Sequence, residues 1–314
     1  MEAKPDSEME GRSCLISHTP LFRVCELPTS SHGPTDGDAP ELPKIFDVMS
    51  QFLLKYNYIY ESVMADMAKA GVPLRDFLAE GSRILEYGAG TGESAYRFAR
   101  EFGNCEVHGV DLHNAFEGVF EAAIRELGDT DRPGNLHFGQ MGASQSTIAI
   151  ANDEASTIDR SYLAQHKFNF CFSWCVFEHV DITIISATMS DIYDSLVPGG
   201  LLHLKINPLF FSLRGSHLHS IVPEPWAHLI YDHQTLKKKV YADAARGMPV
   251  DMMWHQYETL NRITADDLKR YAEQAGFEII YQQRQREGKP SAALASAYCM
   301  EALLVKDIVL VCRK

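Results

Sequence analysis

Apolar positions recur at helical spacing from Lys44 onward: Ile45, Phe46, Val48, Met49, Phe52, Leu53, Tyr56, Ile59, Tyr60, Val63, Met64 and Met67. A stripe of that period predicts an amphipathic helix, which Gly71-Val72-Pro73 stops. Beyond it, short apolar runs alternate with helical stretches. Arg83–Tyr87, Cys105–Val110, Asn135–Gly139, Phe168–Phe172, Leu201–Ile206, Phe277–Tyr281 and Asp307–Cys312 read as strands. Glu93–Phe102, Ala115–Leu127, Ile182–Leu196 and Ala265–Ala275 read as helices, the last with Thr264 as its N-cap and Gly276 just past its end. Residues 142–166 mix helix and loop, and Val197–Gly200 reads as a turn. This alternation predicts an α/β fold of three layers, a mainly parallel sheet with helices on both faces.

The organisation follows from where the pattern stops. Residues 1–43 hold Pro5, Pro20, Pro28, Pro34, Pro40 and Pro43 among Ser, Thr, Gly and Asp, which reads as an extended arm. Residues 44–314 then form a single domain, with a helical cap over 44–80. Pro208–Asn261, between a strand and the last long helix, is longer than a crossover needs and reads as a lid. The cap helix is also a candidate dimer contact.

Composition narrows the partners. Of 314 residues, 29 are Lys or Arg and 42 are Asp or Glu, a net charge of −13. Nucleic-acid binding needs clustered basic surface, so such a partner is not expected. The 7 cysteines are scattered and odd in number, without paired C-x-x-C spacing, which predicts neither a disulfide framework nor a zinc site and suits a reducing cytoplasm. The polar start of the chain has no signal-peptide core, and no apolar run approaches the ~20 residues of a membrane span.

The central chemical signal is Glu86-Tyr87-Gly88-Ala89-Gly90-Thr91-Gly92, at the junction of the first strand and its helix. Ligands of open α/β sheets bind at the carboxyl ends of the strands, and glycines there let backbone approach a ligand closely. Asp111 ends the second strand, where a carboxylate can accept both ribose hydroxyl protons. Two cofactors compete on this evidence, because Gly90-Thr91-Gly92-Glu93-Ser94-Ala95 also fits the alanine variant of a dinucleotide fingerprint. Glu86 favours the other choice: a carboxylate beside the loop suits a cationic amino acid better than a pyrophosphate.

Taken together these residues resemble class I S-adenosylmethionine-dependent methyltransferases. Glu86-x-Gly88-x-Gly90-x-Gly92 is similar to the family's first motif, and Val107–Asp111 to its second strand. Phe168–Val180, with the sequence FNFCFSWCVFEHV, is similar to its fourth strand and following loop. Leu196–Leu202 resembles the turn into strand five, and Arg262–Glu278 the helix leading into strand six. The resemblance implies a Rossmann-like sheet with an antiparallel last strand. It implies S-adenosylmethionine as cofactor, with Gly88, Gly90 and Gly92 on its methionine half, Asp111 on the ribose and Leu112 flanking the adenine. Glu86, Ser173 and Trp174 complete the expected cofactor set. The family's acid after strand three is missing from Gly139-Gln140-Met141-Gly142, so Gln140 or a backbone carbonyl takes its place.

The loop after strand four lacks the Asn/Asp-Pro-Pro-Tyr/Phe run of nucleobase and glutamine nitrogen methylation, and the acids of the magnesium-dependent type are missing too. A small polar molecule is therefore the expected acceptor, an oxygen nucleophile of a sugar or secondary-metabolite type favoured. Methyl transfer to a hydroxyl needs a group to take its proton. His217, His219, His228 and His233 place four of the 13 histidines within seventeen residues of the lid. His217 and His228 are the candidate bases, with His179 of the strand-four loop as a third, and no metal is expected. Two other readings stay open here: a nicotinamide oxidoreductase, and a methyltransferase-like binding protein without chemistry.

Overall fold

The computed structural model describes residues 45–111, 124–125, 133–140, 163, 165–244 and 248–314, with side chains of the first helix from Asn57 onward. The expected helix over 115–127 and the segment 142–166 lie outside the described residues except at 124–125, 163, 165 and 166. So do the arm over 1–43 and Leu112.

Seven strands form one sheet: β1 (Arg83–Tyr87), β2 (Glu106–Asp111), β3 (Leu136–Gln140), β4 (Phe168–Trp174), β5 (Leu196–Ile206), β6 (Glu278–Arg286) and β7 (Val305–Arg313). Their order is β3-β2-β1-β4-β5-β7-β6. β7 pairs antiparallel with both β5 and β6, and the pairings among β1 to β5 are parallel. The result is the mainly parallel sheet with an antiparallel last strand of a Rossmann-like methyltransferase fold. The strand order reverses between β1 and β4, which puts the crevice for a ligand at the end of β1.

Helices cover both faces. On one lie α1 (Ile45–Lys69), α2 (Leu74–Phe77) and α3 (Glu93–Glu101). Val63, Met67, Leu74, Ala95, Phe98 and Ala99 pack there on Ile84, Val107, Phe170, Phe172, Leu201 and Val311 of the sheet. On the other lie α4 (Ile185–Ser195) and, later in the chain, α8 (Ala265–Gln274). Ile185, Met189, Ile192, Leu268 and Ala272 pack there on Leu85, Cys171, Leu202, Leu204, Leu310 and Cys312. The alternation of partners along β4 and β5 is the two-residue period of a strand buried on both sides.

Boundaries shift where side chains intervene. α4 begins after Ile182 because Asp181 accepts from both the Thr183 amide and its hydroxyl, forming a turn that competes with helix. α8 starts at the expected N-cap: Thr264 and Asp267 cap each other's backbone, and Gly276 follows at φ +104°. Asn135 donates to the carbonyls of Ala99, Phe102 and Cys105, which satisfies the end of α3 from outside the helix. The expected turn at 197–200 is taken into β5, with Gly199 at φ +78° and Gly200 paired to Lys314.

Between β5 and α8 the chain builds α5 (Ala227–Ile230), α6 (His233–Asp243) and α7 (Val250–Thr259). Leu218, Ile221, Val222, Ala227, Leu236, Val240 and Trp254 form a small core of their own there. Trp254 therefore packs the inserted segment internally rather than onto the sheet. Trp226 instead packs against Leu294 and Leu303, next to α9 (Ala292–Ala297) and α10 (Met300–Leu304), neither of which the hydrophobic pattern marks. Among the described residues no helix is long and apolar enough to cross a membrane.

Candidate functional site

The glycine loop owes its shape to backbone that other residues resist. Gly88, Gly90 and Gly92 have φ of +81°, +56° and +83°. The amides of Gly88 and Ala89 both donate to the Val110 carbonyl, 2.8 and 2.9 Å away, which folds the loop over the end of β2. Asp111 Oδ2 accepts from the Gly90 amide at 2.8 Å. A Cβ added at Gly90 would meet nothing, so the outer side of the loop is open.

Glu86 lies beneath this loop, 2% exposed, where its Oε1 accepts from the Ser94 hydroxyl in the first turn of α3. Its Oε2 is buried with no hydrogen-bond partner. Burial pushes its carboxyl well above the usual carboxylate range, and Glu93 and Asp111 add to that. Burial thus disfavours its charge, and Glu86 supports the loop from beneath. Glu93, in the first turn of α3, accepts from the Thr91 hydroxyl. A helix N-terminus is where a pyrophosphate would sit, and here the Ala95 amide of that first turn already donates to the Glu86 carboxyl.

The loop after β4 lies against the glycine loop and is held at both ends. Ser173, 1% exposed, donates to the Tyr87 carbonyl at 2.8 Å and so ties β4 to β1. Asn261, just before α8, donates through Nδ2 to the carbonyls of Phe177 and Val180 at 2.5 and 2.7 Å, and its amide donates to the Glu178 carbonyl at 2.8 Å. Asn261 thus carries this loop, a role that no local spacing in the sequence signals. Glu178 is buried beneath it, and burial raises its carboxyl to about 8.

The three candidate histidines come together although they are far apart in the chain. His179 meets His217 edge to face at 5.4 Å between ring centroids. His217 sits at φ +59° with its ring hydrogen-bonded to the Pro208 backbone. His228 donates from Nε2 to the Phe210 carbonyl at 2.6 Å. The second nitrogens, His217 Nε2 and His228 Nδ1, are buried without a partner among the described residues. Burial lowers all three, His179 and His228 to about 4, and His217 adds to the lowering of both. At neutral pH they are therefore uncharged. Each of the two lid imidazoles has one nitrogen committed to a carbonyl, which leaves a lone pair on the other.

On the α1 side of the same strand ends, Trp174 and Lys205 are register partners on β4 and β5. Lys205 Nζ stands 4.1 Å from the centroid of the Trp174 ring, and Tyr58 of α1 meets that ring edge-on at 5.7 Å. His203 stacks parallel to Trp174 at 6.2 Å and donates from Nε2 to Asp66 Oδ2 of α1 at 3.3 Å. The His203 ring is fully buried, which keeps it neutral.

Residues 60–282 match the family model of a methyltransferase domain. The chain belongs to the class I S-adenosylmethionine-dependent methyltransferase family. No curated protein matches it in sequence. Among solved structures it is similar to an S-adenosylmethionine-dependent methyltransferase from Mesorhizobium loti, with 19% identity, 78% of this chain and 98% of that chain covered, and a TM-score of 0.41. It is similar to magnesium protoporphyrin IX methyltransferase from Synechocystis PCC 6803 with bound S-adenosylhomocysteine, with 15% identity, coverage of 89% and 90%, and a TM-score of 0.42. It is also similar to the cyclopropane synthase MmaA2 from Mycobacterium tuberculosis, with 13% identity, coverage of 79% and 84%, and a TM-score of 0.45.

The family's cofactor is S-adenosylmethionine, which displaces the nicotinamide alternative, and the loop of this methyltransferase fits it. Three left-handed glycines, an open face at Gly90 and two acids, Asp111 and Glu93, suit a cation with a ribose better than a pyrophosphate. Of the expected cofactor residues, Gly88, Gly90, Gly92 and Asp111 lie together, Glu86 and Ser173 lie beneath them, and Trp174 stands at the adjoining strand end. Leu112 and the Gln140 side chain lie outside the described residues.

Proposed function

We propose that this methyltransferase moves the methyl group of S-adenosylmethionine to an oxygen of a small polar acceptor, and that a lid histidine takes the hydroxyl proton. The bound cofactor supplies an electrophilic methyl on a sulfonium. Gly88, Gly90 and Gly92 hold its methionine half by close backbone approach, Asp111 holds the ribose hydroxyls, and Glu86 and Ser173 keep the loop and β4 in place. Leu112 and Gln140 flank the adenine in this reading. Pro208–Asn261 acts as the lid and residues 44–80 as the cap.

The observation that carries the oxygen acceptor is the pair of partnerless lone pairs on His217 and His228. A buried neutral imidazole whose other nitrogen is fixed by a carbonyl is a base waiting for an O–H donor. His217 lies beside His179, whose loop is pressed against the glycine loop, and His228 neighbours His217, which supports a base on the cofactor's side of the sheet.

Calorimetry with S-adenosylhomocysteine tests the cofactor site, with micromolar binding expected. Incubation with methyl-labelled S-adenosylmethionine and a panel of hydroxylated acceptors tests the chemistry. Label in an ether or ester product is the expected result, and label found on nitrogen would overturn the oxygen assignment.

A further inference from the structure

Lys205 is a cation in an unusual place. Its side chain is 9% exposed, at the carboxyl end of β5, and no described carboxylate lies within ion-pair reach of it. The acids that face it, Asp66 of α1 and Asp307 of β7, stand further off, and Asp66 is occupied by His203 and Lys69. Its close neighbour is the face of Trp174. The ring takes none of the three ammonium protons, and no acceptor for them lies within reach among the described residues. Asp307 is itself nearly buried, with Oδ1 lacking a partner and its carboxyl raised by burial.

Exposure rises outward through this group, from His203 at 0% through Asp66 at 5% and Lys205 at 9% to Tyr58 at 57%. The group therefore opens at Trp174 and Tyr58, at the carboxyl ends of β4 and β5. The Pro208 backbone that fixes His217 is three residues beyond Lys205, and His179 is five beyond Trp174. The unpaired ammonium, its aromatic platform and the candidate base thus bracket one strand end.

Resting on the methyl-transfer reading above, we infer that Lys205 and Trp174 recognise an acidic acceptor, a planar molecule carrying a carboxylate. The ammonium takes the carboxylate, the Trp174 ring and the Tyr58 edge take the flat body, and the His203–Asp66 pair beneath holds Trp174 in orientation. Lys205 is a binding residue in this assignment and takes no part in proton transfer.

Tryptophan fluorescence of the full chain, titrated with benzoate and with its uncharged analogue benzamide, tests this, both with and without saturating S-adenosylhomocysteine. Saturable quenching by benzoate in the millimolar range is expected, with benzamide weaker by at least about tenfold, the scale of one charged hydrogen bond. Lys205→Met should weaken benzoate by a similar factor, Lys205→Arg should retain it, and Trp174→Phe should remove the quench while calorimetry still detects benzoate. Equal binding of benzoate and benzamide, no benzoate binding, or a Lys205→Met protein that binds as the wild type does would each overturn the assignment. Unchanged S-adenosylhomocysteine affinity in the Lys205 variants shows that they are folded. Failure of the wild type to bind S-adenosylhomocysteine would overturn the cofactor reading instead, and the titrations without it still judge Lys205.

Discussion

A Cβ built on Gly88 would lie 2.3 Å from a methyl carbon of Val176, so the loop after β1 and the loop after β4 meet with no room for one more methyl group. Gly88 also sits at φ +81°, whereas Gly90, at φ +56°, faces open space. The two glycines should therefore respond differently to alanine. Gly88→Ala combines left-handed strain with overpacking and should cost about 2–5 kcal/mol of stability by chemical denaturation. Gly90→Ala should cost about 1–2 kcal/mol, since only the strain applies, yet lose cofactor affinity because its methyl enters the open side of the loop.

Asn261 makes three hydrogen bonds to the loop that carries His179, all from a residue 8% exposed. Asn261→Ala keeps the backbone bond and strands two buried carbonyls. A loss of about 2 kcal/mol is expected in urea unfolding. Turnover should fall further than cofactor binding, because the loop positions a histidine of the candidate site.

Asp111 accepts from the Gly90 amide and is the proposed ligand of the ribose hydroxyls. Asp111→Ala should weaken S-adenosylhomocysteine by about 1–3 kcal/mol in calorimetry, the scale of a lost hydrogen bond to a charged group. Ser173→Ala, which removes a fastening between strands, should lower stability more than affinity.

The lid histidines set a pH signature. A base must be unprotonated, so activity rises with pH through its pKa and is flat above it. If His228 is the base, the acid limb of kcat lies near pH 4. If His217 is, the limb lies below the ordinary histidine value of 6.5, where burial has moved it. Replacing the true base by alanine should lower kcat about 10²- to 10⁴-fold with affinity for S-adenosylhomocysteine kept. An acid limb at 6.5 or above would remove both from the role.

Stability carries a second signature, with two opposed parts. His179 and His228 are depressed to about 4 in the folded state, so the unfolded chain takes up protons first, and stability is lost as pH falls from 6.5 toward 4. Glu178 is raised to about 8, so the folded state keeps a proton that the unfolded chain has released, and stability is lost as pH rises from 4.5 toward 8. Glu178→Gln removes the second part alone. Its unfolding free energy in urea should gain on the wild type steadily from pH 5 to pH 8, by about 1.4 kcal/mol per pH unit at most. Parallel curves for the two proteins would show that Glu178 ionises normally.

The strand and helix alternation, the glycine loop, Asp111 and the cap of α8 are all legible in the sequence, because each is a local matter. Periodicity reports which faces are buried, left-handed backbone favours glycine, and a helix start favours an N-cap beside its own first turn. Side-chain competition is harder to read, which is why the Asp181 turn delays α4 and the glycines of 197–200 enter β5. The sequence also named His179, His217 and His228 as separate candidates. Only the tertiary structure brought their rings together, tied one nitrogen of each lid imidazole to a carbonyl, and left the other buried without a partner. The same holds for Lys205 on Trp174, for Asp66 with His203 and for Asn261 beneath the Phe177–Val180 loop, all pairings between elements distant in the chain. It added one electrostatic fact as well: Glu86 reads in sequence as a charge beside the loop, and burial under α3 disfavours that charge. Spacing along the chain fixes which residues share a face, whereas the charge and the free valences of a side chain depend on what packs around it.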